Sequence, residues 1–154
     1  MRVLVSMCLL GTNCRYNGEP KADEAVLALL AREDITLIPV CPEQLGGLPT
    51  PRTPSERRGK QVLSSEEEDR TEVFAHGAKE ALRIAKLYGC TAAILKERSP
   101  SCGTKEIYDG SFSGTLVTGE GVTAEILREN GVKVFGESEL VEFLLHLKKE
   151  KTKE

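Results

Sequence analysis

The chain has 154 residues, of which 40% are apolar and 29% charged, as is usual for a single globular domain. A net charge of -3 and an isoelectric point near 5.6 argue against a nucleic-acid backbone as the partner. No apolar run approaches the roughly 18 residues of a membrane span, and the short apolar start predicts a first strand, not a signal peptide. We therefore expect a cytoplasmic protein.

The first part of the chain predicts strand, helix and strand in turn. Residues 2–7 are apolar and predict a buried strand, and the turn-forming residues of 9–20 predict a loop. Apolar residues at helical spacing predict a helix over 22–32, and residues 35–40 predict a second strand. The segment 41–52 is rich in proline and glycine and predicts irregular structure.

The middle of the chain predicts a long helix followed by a third strand. Ser65 and Glu68 match a capping box, in which Ser65 is the N-cap and Glu68 the third helical residue. The pattern predicts a helix over 65–88, and Gly89 suits the position just past its end. Residues 91–95 predict the third strand.

The last part predicts a loop and three further elements. Residues 103–121 are poor in aliphatic side chains, and a loop of that length is usually functional or mobile. A helix is predicted over 122–130, a strand over 132–135 and a helix over 138–147.

This order of elements predicts a single α/β domain with a Rossmann-like, mostly parallel sheet and helices on both faces. We assign residues 1–147 to this domain and expect the charged tail 148–154 to fray. The sequence has no G-x-G-x-x-G after the first strand and no Walker A lysine motif, so the common phosphate-binding fingerprints are missing.

Three of the five cysteines, Cys8, Cys41 and Cys102, lie at or just past the ends of predicted strands. Parallel strands open their carboxyl ends on one crevice, so these thiols are expected to converge. The arrangement predicts a metal or cluster site with three protein ligands. No short C-x-x-C pair is present, unlike in zinc ribbons and bacterial ferredoxins. The alternative is that the three are core residues, because free cysteine is common in cores.

The two other cysteines have different predicted places. Cys90 precedes its strand, which puts it at the opposite edge of the sheet as a core or boundary residue. Cys14 lies on the loop near Cys8, where a fourth ligand, a surface thiol and a buried loop residue are all open.

The residue types favour iron and sulfur over zinc. Catalytic zinc usually takes histidine, and the two histidines, His76 and His146, fall in predicted helices as solvated residues. An iron–sulfur cluster is satisfied by cysteine alone. Three thiolates on a four-iron cluster leave one iron without a protein ligand, and such an open position acts as a Lewis acid.

Polar side chains near the thiols add candidate chemistry. Glu43 follows Cys41 by two residues and is either a general acid or base or a loop-capping acid. Ser99 and Ser101 can hydrogen-bond a ligand or a cluster sulfur, or stabilise the turn. Four basic residues at the predicted mouth would offset the thiolate charge and favour a polar or anionic ligand: Arg15, Arg52, Lys96 and Arg98.

Four segments resemble the thiouracil desulfurase (TudS-like) family, formerly a domain family of unknown function. They are Met7-Cys-Leu-Leu-Gly-Thr-Asn-Cys-Arg-Tyr-Asn-Gly, Val40-Cys-Pro-Glu-Gln-Leu-Gly-Gly-Leu-Pro-Thr-Pro-Arg, Leu95-Lys-Glu-Arg-Ser-Pro-Ser-Cys-Gly and Ile107-Tyr-Asp-Gly-Ser-Phe-Ser-Gly. The similarity runs from the first strand to about Leu140, and the Cys-Pro-Glu and Ser-Pro-Ser-Cys-Gly segments are its most specific marks.

The resemblance implies a 4Fe-4S cluster held by Cys8, Cys41 and Cys102, with Glu43 and Ser101 at catalytic positions. It implies an enzyme that converts thiouracil to uracil, with some members acting on thiouridines. The expected reaction is hydrolytic: the open iron binds the substrate sulfur, and sulfide is released. The long loop, with Tyr108 and Asp109, is expected to cover the pyrimidine base of the substrate and exclude water.

Three rival functions remain open from the sequence. They are an iron–sulfur carrier or electron-transfer protein, a zinc-stabilised module that uses Cys14 as a fourth ligand, and a small-molecule binder with core cysteines. The substrate is open between a free base, a nucleoside and a thiolated RNA, of which the acidic balance disfavours the last without excluding it. Oligomeric state is not predicted.

Overall fold

The structure, a computed structural model, describes residues 1–153. Its strands are β1 (Arg2–Ser6), β2 (Thr36–Val40), β3 (Ser55–Arg58), β4 (Gln61–Ser64), β5 (Ala92–Leu95), β6 (Glu106–Tyr108), β7 (Leu116–Thr118) and β8 (Lys133–Gly136). Its helices are α1 (Glu24–Ala28), α2 (Pro42–Leu45), α3 (Thr71–Tyr88), α4 (Val122–Glu129) and α5 (Leu140–Thr152), with 3-10 turns at Met7–Leu10, Leu29–Ala31 and Glu137–Glu139. None of the helices in this part of the chain has the length and apolarity needed to cross a membrane.

The four predicted strands form one parallel sheet in the order β2-β1-β5-β8. From β1 the chain places β2 on one side of it and then returns to place β5 and β8 on the other side. The direction in which strands are added to the sheet therefore reverses between β1 and β5. In open α/β sheets, a crevice for ligands lies outside the carboxyl ends of the strands at this switch point. The predicted fold class is confirmed.

The sheet is buried on both faces, which explains the continuous apolar runs of its strands. Val5 and Ile94 point to one face, where they pack with Val26 of α1 and with α5. Their neighbours Leu4 and Leu95 point to the other face, toward α3 and α4. Alternation along each strand therefore supplies a separate hydrophobic core to each helical layer.

Two antiparallel hairpins, β3–β4 and β6–β7, lie outside this sheet and were not predicted. The predicted helix start at Ser65, with its capping box to Glu68, is wrong because of the first of these hairpins. β4 pairs with β3 up to Ser64, so the chain needs a turn before the helix can start. Asp69 then accepts the backbone N–H of Thr71 at 2.9 Å, and α3 begins there.

Two glycines allow the short helix α2 to lie directly against α3. A Cβ on Gly77 would be 1.9 Å from the carbonyl oxygen of Pro42, and one on Gly46 would be 2.3 Å from that of Val73. No other residue fits at either position without moving backbone. The one-turn helix that carries Glu43 is therefore seated on α3 by backbone contact.

The charged tail that we expected to fray is helical as far as Thr152. Lys151 pairs with Asp34, the residue that precedes β2 by two positions. Lysines in the last turn also interact favourably with the negative end of the helix dipole. Glu154 lies outside the described residues.

Candidate active site

The three cysteines at strand ends line one cavity of about 560 Å³ at the carboxyl edge of the sheet. Cys8 lies in the 3-10 turn after β1, Cys41 directly precedes α2, and Cys102 lies in the turn after β5. All three are buried. Adjacent parallel strands thus bring together side chains that are far apart in sequence. Their role as ligands stays a prediction.

Cys14 is buried at the same cavity, so the surface-thiol alternative is wrong. Its side chain hydrogen-bonds those of Cys41 and Cys8, which raises the pKa of Cys14. The same bonds lower the pKa of Cys8 and bring the pKa of Cys41 to about 7. Cys14 therefore keeps its proton, while its two neighbours become thiolates more readily.

Cys102 is more deeply buried than Cys8 and Cys41. Burial raises its pKa to about 12, although hydrogen bonds from Ser6 and Ser101 oppose that rise. The Ser101 Oγ lies 3.7 Å from the Cys102 sulfur. A metal that bound this thiol as thiolate would therefore displace a proton.

The donor set fits a cluster better than a single ion. Within residues 1–153, no three Cys, His, Asp or Glu side chains are grouped so that they could hold one metal ion. Neither His76 nor His146 lines the cavity. A structural zinc needs four ligands around one ion, whereas an iron–sulfur cluster takes its thiolates on separate irons. The zinc module therefore loses its geometric support.

Glu43 is held between two segments of the cavity wall. Its Oε2 accepts the hydroxyl of Ser101 at 2.9 Å, and its Oε1 accepts the Nε–H of Arg52 at 3.0 Å. The side chains of Arg52 and Glu43 are only 3% and 14% exposed. Arg52 also donates to the carbonyl oxygen of Cys14 at 2.9 Å. Two hydrogen bonds therefore orient the carboxylate, a charge-assisted one from Arg52 and one from the hydroxyl of Ser101.

The two serines of the Ser-Pro-Ser-Cys segment have different contacts. Ser99 Oγ accepts the backbone N–H groups of Ser101 at 3.2 Å and Cys102 at 3.1 Å, which stabilises the turn. Of the two serines, only Ser101 hydrogen-bonds Glu43. Its carbonyl oxygen also accepts the N–H of Thr123, so the first turn of α4 holds this segment from behind.

The four predicted basic residues all line the cavity: Arg15, Arg52, Lys96 and Arg98. Arg52 is interior, whereas the Arg98 side chain is 53% exposed. Lys96 pairs with Glu137 at 3.1 Å, and the Arg15 guanidinium lies 5.8 Å from the ring centre of Tyr16. The charges of Lys96 and Arg15 also lower the pKa of Cys8, and that of Arg52 lowers the pKa of Cys41.

The hairpins contribute cavity residues that sequence reasoning missed. Tyr108 lines the cavity, and its covering role stays a prediction. Asp109 does not line the cavity and instead accepts a hydrogen bond from Ser111. Four hairpin residues of the lining were missed: Ser55, Glu56, Phe112 and Gly114. The signal for the first hairpin was present: two residues, beginning with a glycine, separate its strands.

A model of a family described as 2-thiouracil desulfurase matches residues 3–139. The chain belongs to the 2-thiouracil desulfurase family. An uncharacterized protein of Bacillus subtilis (strain 168), YbbK, is 42% identical, and the match covers 92% of this chain and 99% of that protein. A solved structure, described as a 4Fe-4S-dependent thiouracil desulfidase TudS, is 43% identical with a TM-score of 0.90. That match covers 96% of this chain and 97% of the other.

The predicted family and enzyme class are thereby confirmed, and desulfuration of thiouracil is the reaction that the family's name gives. All four segments on which the resemblance was stated fall within the matched range. The family match extends over the whole cavity wall described above, including both hairpins.

Proposed function

We propose that this chain converts thiouracil to uracil at a 4Fe-4S cluster held by Cys8, Cys41 and Cys102. One observation carries the proposal: three buried thiols from adjacent strand ends line the same cavity as a Glu43 carboxylate that is hydrogen-bonded to Ser101. The similarity to a 4Fe-4S-dependent thiouracil desulfidase supports the choice of cofactor and substrate.

The proposed ligands fit the cofactor by chemistry and by number. Thiolates are the usual ligands of iron–sulfur clusters, and the lowered pKa values of Cys8 and Cys41 favour that form. When bound by three thiolates, the cluster would supply one iron without a protein ligand, a soft Lewis acid for a thiocarbonyl sulfur.

Glu43 is the proposed general base. Its carboxylate takes a proton from the water that attacks the thiocarbonyl carbon, while the guanidinium of Arg52 holds Oε1. Oε2 is the oxygen on the Ser101 side. Ser101 positions the substrate against this carboxylate and lies next to the proposed ligand Cys102.

The net reaction is a hydrolysis. Water supplies the oxygen of the new C=O bond, the C=S bond breaks, and sulfur leaves with the two protons as hydrogen sulfide. No external electron donor or acceptor is required. The free pyrimidine base is the proposed substrate, because it needs no basic surface beyond the cavity mouth.

Purification without oxygen, followed by a visible absorption spectrum and turnover of 2- and 4-thiouracil, tests the proposal. We expect a broad sulfur-to-iron band, together with stoichiometric release of uracil and sulfide. A coloured protein without turnover would favour the carrier function. A protein that stays colourless after reconstitution with iron and sulfide would refute the three-thiolate site.

A further inference from the structure

The turn between β6 and β7 places an aromatic side chain at the cavity mouth. Phe112 lines the cavity and is 36% exposed. The two other aromatic residues of the lining are Tyr108 and Tyr16, and the Tyr16 ring is already covered by Arg15. Phe112 carries no polar group, so its ring presents an apolar face at the mouth of the cavity.

This turn is held by a carboxylate from the other hairpin. Glu56 Oε1 accepts the backbone N–H of Gly110 at 3.0 Å and that of Phe112 at 3.1 Å. Phe112 has φ +55°, a conformation that non-glycine residues rarely adopt. Such a backbone persists only where its surroundings fix it, and outliers of this kind cluster at ligand sites. Glu56 supplies that restraint, and it lines the cavity itself.

We propose that Phe112, held in place by Glu56, stacks on the pyrimidine ring of the substrate and selects planar, aromatic thiocarbonyl compounds. This inference rests on the proposed function. A ring whose sulfur points to the thiols and whose polar edge meets Glu43 makes both contacts in its own plane. Its flat faces therefore remain free, and one of them can face Phe112 at the mouth. An aromatic side chain packs on such a face through stacking that does not depend on the base's substituents.

Binding of two product analogues tests the stacking directly. Uracil and 5,6-dihydrouracil share the same polar edge, but dihydrouracil has a puckered ring without an aromatic face. We expect the cluster-loaded wild type to bind uracil more tightly in calorimetric titrations. In Phe112→Ala, uracil should bind roughly tenfold more weakly, equivalent to about 1.4 kcal/mol, with dihydrouracil little changed. The KM for thiouracil should rise by a similar factor, with kcat nearly constant.

Matched variants separate stacking from folding. Phe112→Tyr keeps the ring and should restore the preference for uracil. Glu56→Ala should weaken the preference for uracil and speed hydrogen exchange at the amides of 110 and 112. Glu56→Gln keeps an acceptor oxygen and should retain the preference. Glu66→Ala removes an exposed acid in the turn after β4 and should change neither property.

The outcomes distinguish this inference from the proposed function. A wild type that turns over thiouracil but binds uracil and dihydrouracil equally, or a Phe112→Ala variant with unchanged preference, overturns the stacking role alone. A wild type that prefers uracil in a Phe112-dependent way but has no turnover leaves the aromatic site standing and refutes the desulfurase reaction.

Discussion

The two ends of strand β5 carry the same residue type in very different surroundings. Cys90 precedes the strand and Cys102 follows it, and burial raises the pKa of both thiols. Cys90 has Arg2 as its charged neighbour, whereas Cys102 faces Ser101 and two further thiols. Burial therefore does not define the site. A thiol becomes part of it only at the edge where neighbouring parallel strands also end.

The amino edge of the sheet serves the fold instead. Asp34 pairs there with Arg32 and with Lys151 of α5, and the terminal ammonium of Met1 donates to its carbonyl oxygen. These contacts tie α5 to the entrance of β2. We expect substitutions at this edge to change stability alone, whereas those at the carboxyl edge change chemistry, with or without an effect on stability.

The largest expected effect is loss of a proposed ligand. Cys8→Ser, Cys41→Ser and Cys102→Ser should each abolish the visible absorption band and all turnover, because serine does not replace a soft thiolate ligand. Cys90→Ser is the matched control and should keep both. Full iron content and activity in any of the three ligand variants would remove that cysteine from the site.

Glu43→Gln should lower kcat by about 10²- to 10⁴-fold, the usual contribution of a general base. Glutamine keeps an oxygen for Arg52 or Ser101 but cannot take a proton, so iron content should match the wild type. Single-turnover kinetics with quantified cluster measure this effect. Wild-type turnover in this variant would assign the proton transfer to another group.

Arg52→Ala should lower kcat about tenfold and destabilise the fold by roughly 3 kcal/mol, because it leaves a mostly buried carboxylate without its cation. Urea unfolding of the wild type, both single variants and Arg52→Ala with Glu43→Gln gives the coupling energy between the two residues. Additive losses would show that the two side chains are not energetically coupled in the folded protein.

Asp34→Asn is expected to have the smallest effect and to act on stability alone. Hydrogen bonds from Arg32 and Lys151 lower the pKa of Asp34 in the folded protein, so its contribution is present at neutral pH. That contribution is lost as the pH falls through the folded-state pKa. Thermal unfolding at pH 7 should show a small decrease for Asp34→Asn, and the difference from wild type should vanish in strong acid. Turnover at pH 7 should be unchanged.

The central sheet was predictable because each of its strands is a short apolar run bounded by turn formers. The first hairpin was missed although a glycine turn separates its strands, because Glu56 and Arg57 give β3 a polar sequence that resembles a loop. Ser65 and Glu68 satisfied a local capping rule that strand pairing of β3 with β4 overrode. Local patterns yield to tertiary contacts where the two disagree.

The same distinction applies to the site. Cys8, Cys41 and Cys102 were singled out because each lies at or just past the end of a strand, a position that a single sequence reveals. The contact of Glu56 with the turn at Phe112 joins two hairpins that were not predicted from the sequence. No spacing rule connects those residues, so only the folded chain identifies them.

The backbone contact at Gly77 has a consequence for how this enzyme can change over evolution. A single helical turn is too short to be stable alone, so α2 keeps its shape only while seated on α3. The positions of Cys41 and Glu43 therefore both depend on this short helix. A displacement that changes the position of Glu43, the proposed base, also moves Cys41, the proposed ligand. We expect new substrate preferences to arise by replacement of residues in the hairpin turns, which can vary without disturbing the packing of α2 on α3.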